Sequence, residues 1–244
     1  MKFLRKGVFG EVSLYFDNIS KREVVIKKIN KSGPDEELRL FREINSMKNI
    51  RCPYSVECYD YYSDNNFYYI VMEKCDEDLE SYMQKNSLGL SDYLIKGIFL
   101  QLNEAFKVML SKNIIHRDLK PQNILLKYVS QNRFIVKIAD FGLSREFNSI
   151  NFSTHSGTPL YIAPEIYNQK GNYLPIKCDL WAIGVIIFKL KFNEISPLFY
   201  AGKIPKRKRF NNKLLDDLIR RLIVVDPDKR IDWNDYFNHP FFKN

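Results

Sequence analysis

The chain has 244 residues, 45% hydrophobic and 14% aromatic, with 38 Lys and Arg against 29 Asp and Glu for a formal charge of +9. That length holds one large domain or two lobes sharing a cleft, and the composition excludes a disordered chain. The positive balance points to acidic partners, among them nucleic acid, anionic membrane and an anionic nucleotide. Cys52, Cys58, Cys75 and Cys178 form no CxxC pair, and the interval from Cys52 to Cys58 is no usual zinc spacing, so free thiols in a reducing compartment are expected. No basic stub followed by an apolar run opens the sequence. Its longest apolar stretch, residues 180–188, is too short to span a bilayer. A soluble cytoplasmic protein without a membrane span is the expectation.

In chain order, the first quarter predicts strands. Val12, Leu14 and Phe16 alternate with polar neighbours, and residues 23–29 form a β-branched run. Ser32-Gly33-Pro34-Asp35-Glu36-Glu37 predicts a helix start, with proline early and acids near the positive end of the helix dipole. Leu40, Ile44 and Met47 then share one face. Two more strands are expected over residues 54–59 and 67–72. From Asp76 onward the period becomes helical, with Leu94, Ile98, Leu102, Ala105 and Met109 in one stripe. Later helices are expected over residues 177–191 and 213–225. A β-rich part followed by a helical part predicts two lobes joined near residues 73–78.

The chemistry concentrates in His116-Arg117-Asp118-Leu119-Lys120-Pro121-Gln122-Asn123. A three-residue match would be a polar loop met by chance. This run is eight residues long, and Asp140-Phe141-Gly142 follows with Asp140 22 residues beyond Asp118. Ala163-Pro164-Glu165 then ends 25 residues beyond Asp140. Together these closely resemble the catalytic loop and activation segment of protein kinases. The resemblance covers the chain from Leu4 to Phe242 and implies an α+β bilobal protein kinase fold. Residues 1–75 would be a small β-rich lobe with one regulatory helix, and residues 76–244 a larger, mainly helical lobe.

Phosphoryl transfer asks a protein for positioning and charge neutralisation rather than covalent work. The resemblance makes Asp118 the base for the substrate hydroxyl, Lys120 the group steadying the transferring phosphate, and Asn123 and Asp140 the ligands of Mg2+. Val24-Val25-Ile26-Lys27 resembles the strand motif whose lysine grips the α- and β-phosphates of ATP. A single lysine in a strand is ordinarily a solvated charge, but Lys27 stands in register with three other motifs. Its expected partner is Glu43. Met72 would be the gatekeeper, backbone groups of Glu73 and Cys75 would meet the adenine edge, and Asp78 would bond the ribose. Leu125 would form the adenine floor against Leu4, Val12 and Val25. Asp179 resembles the residue that holds the catalytic-loop backbone, and Arg230 the partner of Glu165.

The sequence departs from the family pattern in places. Val25 replaces the usual alanine over adenine. Gly7 and Gly10 fit the phosphate-covering hairpin, but Arg5 stands where its first glycine would be, and the resemblance predicts a shortened leading strand, either a short edge strand or an excerpt of a longer protein. The 22-residue interval after Asp118 predicts an extended hairpin near residues 127–134, and the 49 residues from Trp181 to Arg230 predict a reduced helical region over 192–212. Lys203 opens a basic cluster, residues 203–209, that would suit nuclear import, an acidic dock or simple solvation. The run Lys120-Pro121-Gln122-Asn123 and Gly157-Thr158-Pro159 resemble the serine/threonine branch; the extended hairpin and residues 230–242 are similar to the autophagy-initiating kinases, with a calmodulin-kinase-like or unplaced kinase as the alternative. Thr154 stands where this branch carries its activating threonine, with Arg39, Arg117 and Arg145 placed to receive its phosphate. An upstream kinase or autophosphorylation in trans would supply that phosphate, and protein would be the substrate. The rivals are a pseudokinase scaffold, argued against by Lys27, Glu43, Asp118, Asn123 and Asp140 all being present, and a nucleic-acid module, for which aromatic-interleaved basic motifs are lacking.

Overall fold

In the computed structural model, which describes residues 2–7, 10–146, 159–168, 175–205 and 210–243, the N-terminal part is one sheet and one long helix. Strands β1 (Lys2–Gly7), β2 (Gly10–Asp17), β3 (Arg22–Asn30), β4 (Cys58–Ser63) and β5 (Phe67–Glu73) form a five-stranded sheet in the order β1-β2-β3-β5-β4. The register sets Val12 opposite Lys27, Leu14 opposite Val25, and Val25 opposite Met72. Side chains alternate across a strand, so these residues share the face turned to the cleft. Helix α1 (Pro34–Asn49) opens with its proline in the first turn, where a missing N–H costs no intrahelical bond. It packs Leu40, Ile44 and Met47 against the core, each at most 3% exposed.

The strand expected over residues 54–59 is displaced: β4 begins at Cys58 and pairs with β5. Tyr54 to Val56 instead run beside the second lobe. Ile138 N–H donates to Tyr54 O and Val56 N–H donates to Ile138 O, both at 2.9 Å. Pro53, which has no N–H to give a ladder, directly precedes this stretch.

Past β5 the chain crosses through Lys74, Cys75 and Asp76 into β6 (Glu77–Asp78) and the short helix α2 (Leu79–Gln84). Helix α3 (Asp92–Ser111) buries the predicted stripe from Ile98 to Met109 and half-buries Leu94, with Ser91 capping its start. After β7 (Ile114–Ile115) come β8 (Ile124–Ser130) and β9 (Arg133–Ile138), which form the extended hairpin and a sheet in the order β6-β8-β9. Strand β10 (Arg145–Glu146) pairs with β7, and α4 (Pro164–Asn168) follows. Helix α5 (Cys178–Phe192) is apolar all round and is the centre of this lobe, with Trp181 fully buried. Gly184 admits helix α6 (Lys213–Leu222), since a Cβ there would lie 2.8 Å from Leu222 Cβ. Helix α6 stops three residues before the expected end at residue 225; Ile223 leaves helical geometry ahead of the turn at Asp226-Pro227. Between α5 and α6 the described residues hold one 3₁₀ turn, Pro197–Ala201, and residues 206–209 of the basic cluster lie outside the described residues. Helices α7 (Trp233–Phe237) and α8 (Pro240–Lys243) close the lobe.

The Arg230 guanidinium is 2% exposed and forks onto Glu165, Nη1 to Oε1 at 2.6 Å and Nη2 to Oε2 at 2.8 Å. Its Nε donates to Val224 O at 3.0 Å and Nη1 also to Lys177 O at 2.9 Å, so the buried charge is bonded on several sides. This pair ties α4 to the turn before α7.

Candidate active site

Between the lobes lies a cavity of about 390 Å³, a size that suits a small-molecule ligand. Val12, Val25 and Met72 line it from the sheet, Cys75 from the crossing segment, Leu125 from β8, and Leu4, 45% exposed, from the mouth. The apolar sandwich expected around a flat base is therefore assembled. Val56, Ser81 and Ala139 also line it. They belong to no motif, and nothing in a single sequence marks them.

At the inner end, Lys27 Nζ donates to Glu43 Oε1 and Oε2 at 2.7 and 2.8 Å and to Asp140 Oδ1 at 3.1 Å. Burial works against the ammonium, but the carboxylates of Asp140 and Glu43 outweigh it and raise its pKa, so Lys27 stays charged. Burial pushes the Glu43 carboxyl up against the pull of Lys27. Asp140 adopts a left-handed backbone, φ 65°, that turns the chain sharply. Phe141 is then fully buried, 5.0 Å from the His116 ring. Ser144 Oγ, just beyond, donates to Phe141 O and lies 2.6 Å from Ser46 Oγ on α1. This contact couples the helix bearing Glu43 to the turn bearing Asp140, and no motif announced it.

The catalytic-loop residues gather around Asp118, which is 5% exposed. Lys120 Nζ and Asn123 Nδ2 both donate to its Oδ2, at 2.7 and 2.9 Å. Its Oδ1 takes no hydrogen bond from any described residue. The loop itself is fixed from beneath: Asp179 accepts the N–H of His116 at 2.7 Å and of Arg117 at 2.9 Å, the latter in a left-handed conformation at φ 68°. His116 Nδ1 accepts the Asp118 N–H at 3.3 Å, so its Nε2, 3.0 Å from Ala139 O, is the nitrogen placed to donate. Asn123 Nδ2 also donates to Asp118 O at 2.8 Å, so both Nδ2 bonds go to Asp118 and the side-chain carbonyl oxygen takes no part in them.

The donor set fits a hard divalent cation. An amide oxygen on Asn123 and a carboxylate on Asp140 are oxygen ligands, too few to hold such an ion without phosphate and water. No cluster of three or more His, Cys, Asp or Glu that could hold a metal exists among the described residues.

Three expected contacts differ in detail. The Glu73 N–H donates to Glu57 O at 2.9 Å, so the Glu73 backbone is left only its carbonyl, which can accept a hydrogen bond but not donate one. Its side chain is a buried anchor, with Lys127 at 2.7 Å and Lys137 at 2.9 Å. Burial raises the Glu73 carboxyl, and those two lysine bonds outweigh it to leave the pKa below its ordinary value. Asp78 stands at the cavity rim, but its Oδ1 caps α2 by accepting the Ser81 N–H at 2.8 Å, so only Oδ2 lies outside that cap. Gly10 meets the sheet: at φ 134° an added Cβ would lie 2.1 Å from Lys28 O, so close packing on β3 already demands glycine. Gly7 pairs with Gly10 at the end of the same hairpin. Arg39 lies on α1, Arg145 in β10 and Arg117 in the catalytic loop, while Thr154 lies outside the described residues.

A fold of this kind, with a lysine–glutamate pair under a sheet and an aspartate-centred loop across the cleft, defines a protein kinase. The protein kinase domain family matches residues 1–242, and the chain belongs to that family. It is 32% identical to Calcium-dependent protein kinase 3 of Plasmodium berghei (strain Anka), over 98% of this chain and 45% of that protein. It is 35% identical to Serine/threonine-protein kinase ULK1 of Homo sapiens, over 90% of this chain and 22% of that protein. It is 34% identical to Serine/threonine-protein kinase atg1 of Dictyostelium discoideum, over 83% of this chain and 31% of that protein. The chain thus spans less than half the length of these relatives. A kinase domain uses ATP and a divalent metal. No helix among the described residues is long and apolar enough to cross a membrane.

Proposed function

We propose that this chain transfers the γ-phosphate of ATP to serine and threonine hydroxyls of proteins. The observation that carries the reading is Lys27 held on both oxygens of Glu43 and within 3.1 Å of Asp140, at the inner end of an adenine-sized apolar cavity. The purine would lie between Val12, Val25 and Leu125. Lys27 would bond the phosphates nearest the base, its charge preserved by its two carboxylates. Asp118 Oδ1 would orient the substrate hydroxyl and accept its proton, while Asn123 and Lys120 hold Oδ2. Lys120 also sets a positive charge beside the transferring group. Mg2+, held through Asn123 and Asp140, would neutralise phosphate charge.

The direct test is incubation of purified protein with γ-labelled ATP and a peptide library, followed by phosphoamino-acid analysis. Label on phosphoserine and phosphothreonine is expected; no transfer, or label on tyrosine alone, would contradict it. Because the protein offers so few metal ligands, magnesium should bind tightly only with nucleotide. Calorimetry showing strong binding to nucleotide-free protein, lost in Asp140→Ala, would overturn that assignment.

We also propose that phosphorylation of Thr154, by an upstream kinase or in trans, switches the enzyme on through Arg117, Arg39 and Arg145. The support is sequence position, together with the lodging of Arg117 in a loop that Asp179 fixes.

A further inference from the structure

Helix α3 carries Gly97 in its interior, where glycine is less favourable than alanine. Apart from its chain neighbours and the helix's own nearby backbone, no atom lies within 4 Å of the place a Cβ would occupy, so tight packing against another element does not explain it. Over Gly97 runs a groove of about 850 Å³ between α3 and the β8–β9 hairpin. It shares no lining residue with the cleft.

The groove has a definite chemistry. Leu100 is 42% exposed, Val129 54% and Tyr93 88%, giving it apolar walls open to solvent. Lys96 and Arg133 line it, no acidic residue lines it, and neither cation has a carboxylate partner among the described residues. The third feature is a strand edge. Strand β9 is the outer strand of its sheet. Its outward groups are covered at Ile138 by Tyr54 and Val56, and at Val136 by Gln101, whose Oε1 accepts the Val136 N–H at 3.0 Å. Outward groups recur at every second residue, so Phe134 presents the next N–H and C=O on this edge. The Tyr128 N–H, opposite Phe134 in the ladder, turns away to Asp76, as that alternation requires. Neither backbone group of Phe134 has a partner among the described residues.

We propose that this groove docks an extended protein segment that alternates apolar and acidic side chains. Its backbone adds to β9 at Phe134, its apolar side chains fill the space above Gly97, and its carboxylates meet Lys96 and Arg133. The charge on the rim selects the occupant: an acidic segment is drawn in, a basic one repelled. The proposal needs no phosphoryl transfer, so it stands or falls apart from the reading of the cleft.

The test is fluorescence anisotropy with a short labelled peptide alternating leucine and glutamate, beside a counterpart in which lysine replaces glutamate. Wild-type protein should bind the glutamate peptide saturably and not the lysine peptide. Reversing both cations, Lys96→Glu with Arg133→Glu, should weaken the glutamate peptide by about tenfold or more at low salt. Gly97→Leu should weaken it similarly without lowering the melting temperature, because the added side chain enters open space. Transfer to a short unrelated substrate should be unchanged in all variants. Failure of the glutamate peptide to bind, equal binding of both peptides, or indifference to Gly97→Leu would overturn the proposal. So would sedimentation showing a wild-type dimer that Gly97→Leu dissolves, which would assign the groove to a second copy.

Discussion

Cys75 shows how far local surroundings decide what a residue can do. It lines the cavity on the segment between the lobes, a position that invites a search for a reactive thiol. Burial first, and then the neighbouring Glu73 carboxylate, push its thiol up to about 12. The thiolate is the nucleophile, so roughly 10⁻⁴ of Cys75 is ionised at pH 8. Iodoacetamide at pH 8, followed by peptide mass spectrometry, should leave Cys75 unmodified while free cysteine in the same solution is consumed. Rapid labelling of Cys75 would contradict this account of its surroundings. Motif residues such as Lys27 and Asp118 could be read from the sequence because chemistry fixes their type and spacing. The side-chain anchor of Glu73 could not, because Lys127 and Lys137 reach it from two strands that only the folded sheet places behind it.

Elements were legible where one period ruled a long segment. Helices α1 and α3 hold the apolar faces expected of them, α1 beginning within its expected start, and α5 lies within one residue of its expected bounds. Strand β4 was misplaced because Tyr54 to Val56 have strand-like residues whose backbone partner is Ile138, some eighty residues later in the chain. What joins elements is also testable. Arg230 and Glu165 are buried on each other, and removing one partner of such a pair costs about 3–5 kcal/mol. Arg230→Met should therefore lower the denaturant midpoint strongly, and Glu165→Met in the same chain should recover part of the loss. A single variant as stable as wild type would show that the pair does not hold α4 in place.

At the scale of the whole molecule, the two-lobe architecture followed from a β-rich part preceding a helical one and from the kinase resemblance, and the family match over residues 1–242 agrees with it. The resemblance to the autophagy-initiating kinases agrees with the matches to atg1 and ULK1. Val56 and Ala139 complete the cavity from outside every motif, since packing alone recruits them. A switch at Thr154 would act across both lobes, because Arg39 belongs to the helix bearing Glu43 while Arg117 precedes Asp118. After incubation with ATP, wild-type protein should carry phosphate on Thr154 by mass spectrometry, and Thr154→Ala should be much less active. Full activity in Thr154→Ala, or in wild type with no phosphate there, would remove the switch.

The central claim is that this cleft transfers phosphate with Asp118 as the base. It is tested most directly by the turnover of Asp118→Asn beside wild type, with melting temperature and nucleotide affinity measured on the same preparations. The substitution keeps the size of the side chain and the loop's anchorage on Asp179, and removes the proton acceptor. General-base contributions are on the order of 10²–10⁴-fold. The account predicts a loss in that range with folding and nucleotide binding retained; a variant that keeps more than about half of wild-type turnover, against an effect of that size, would contradict it.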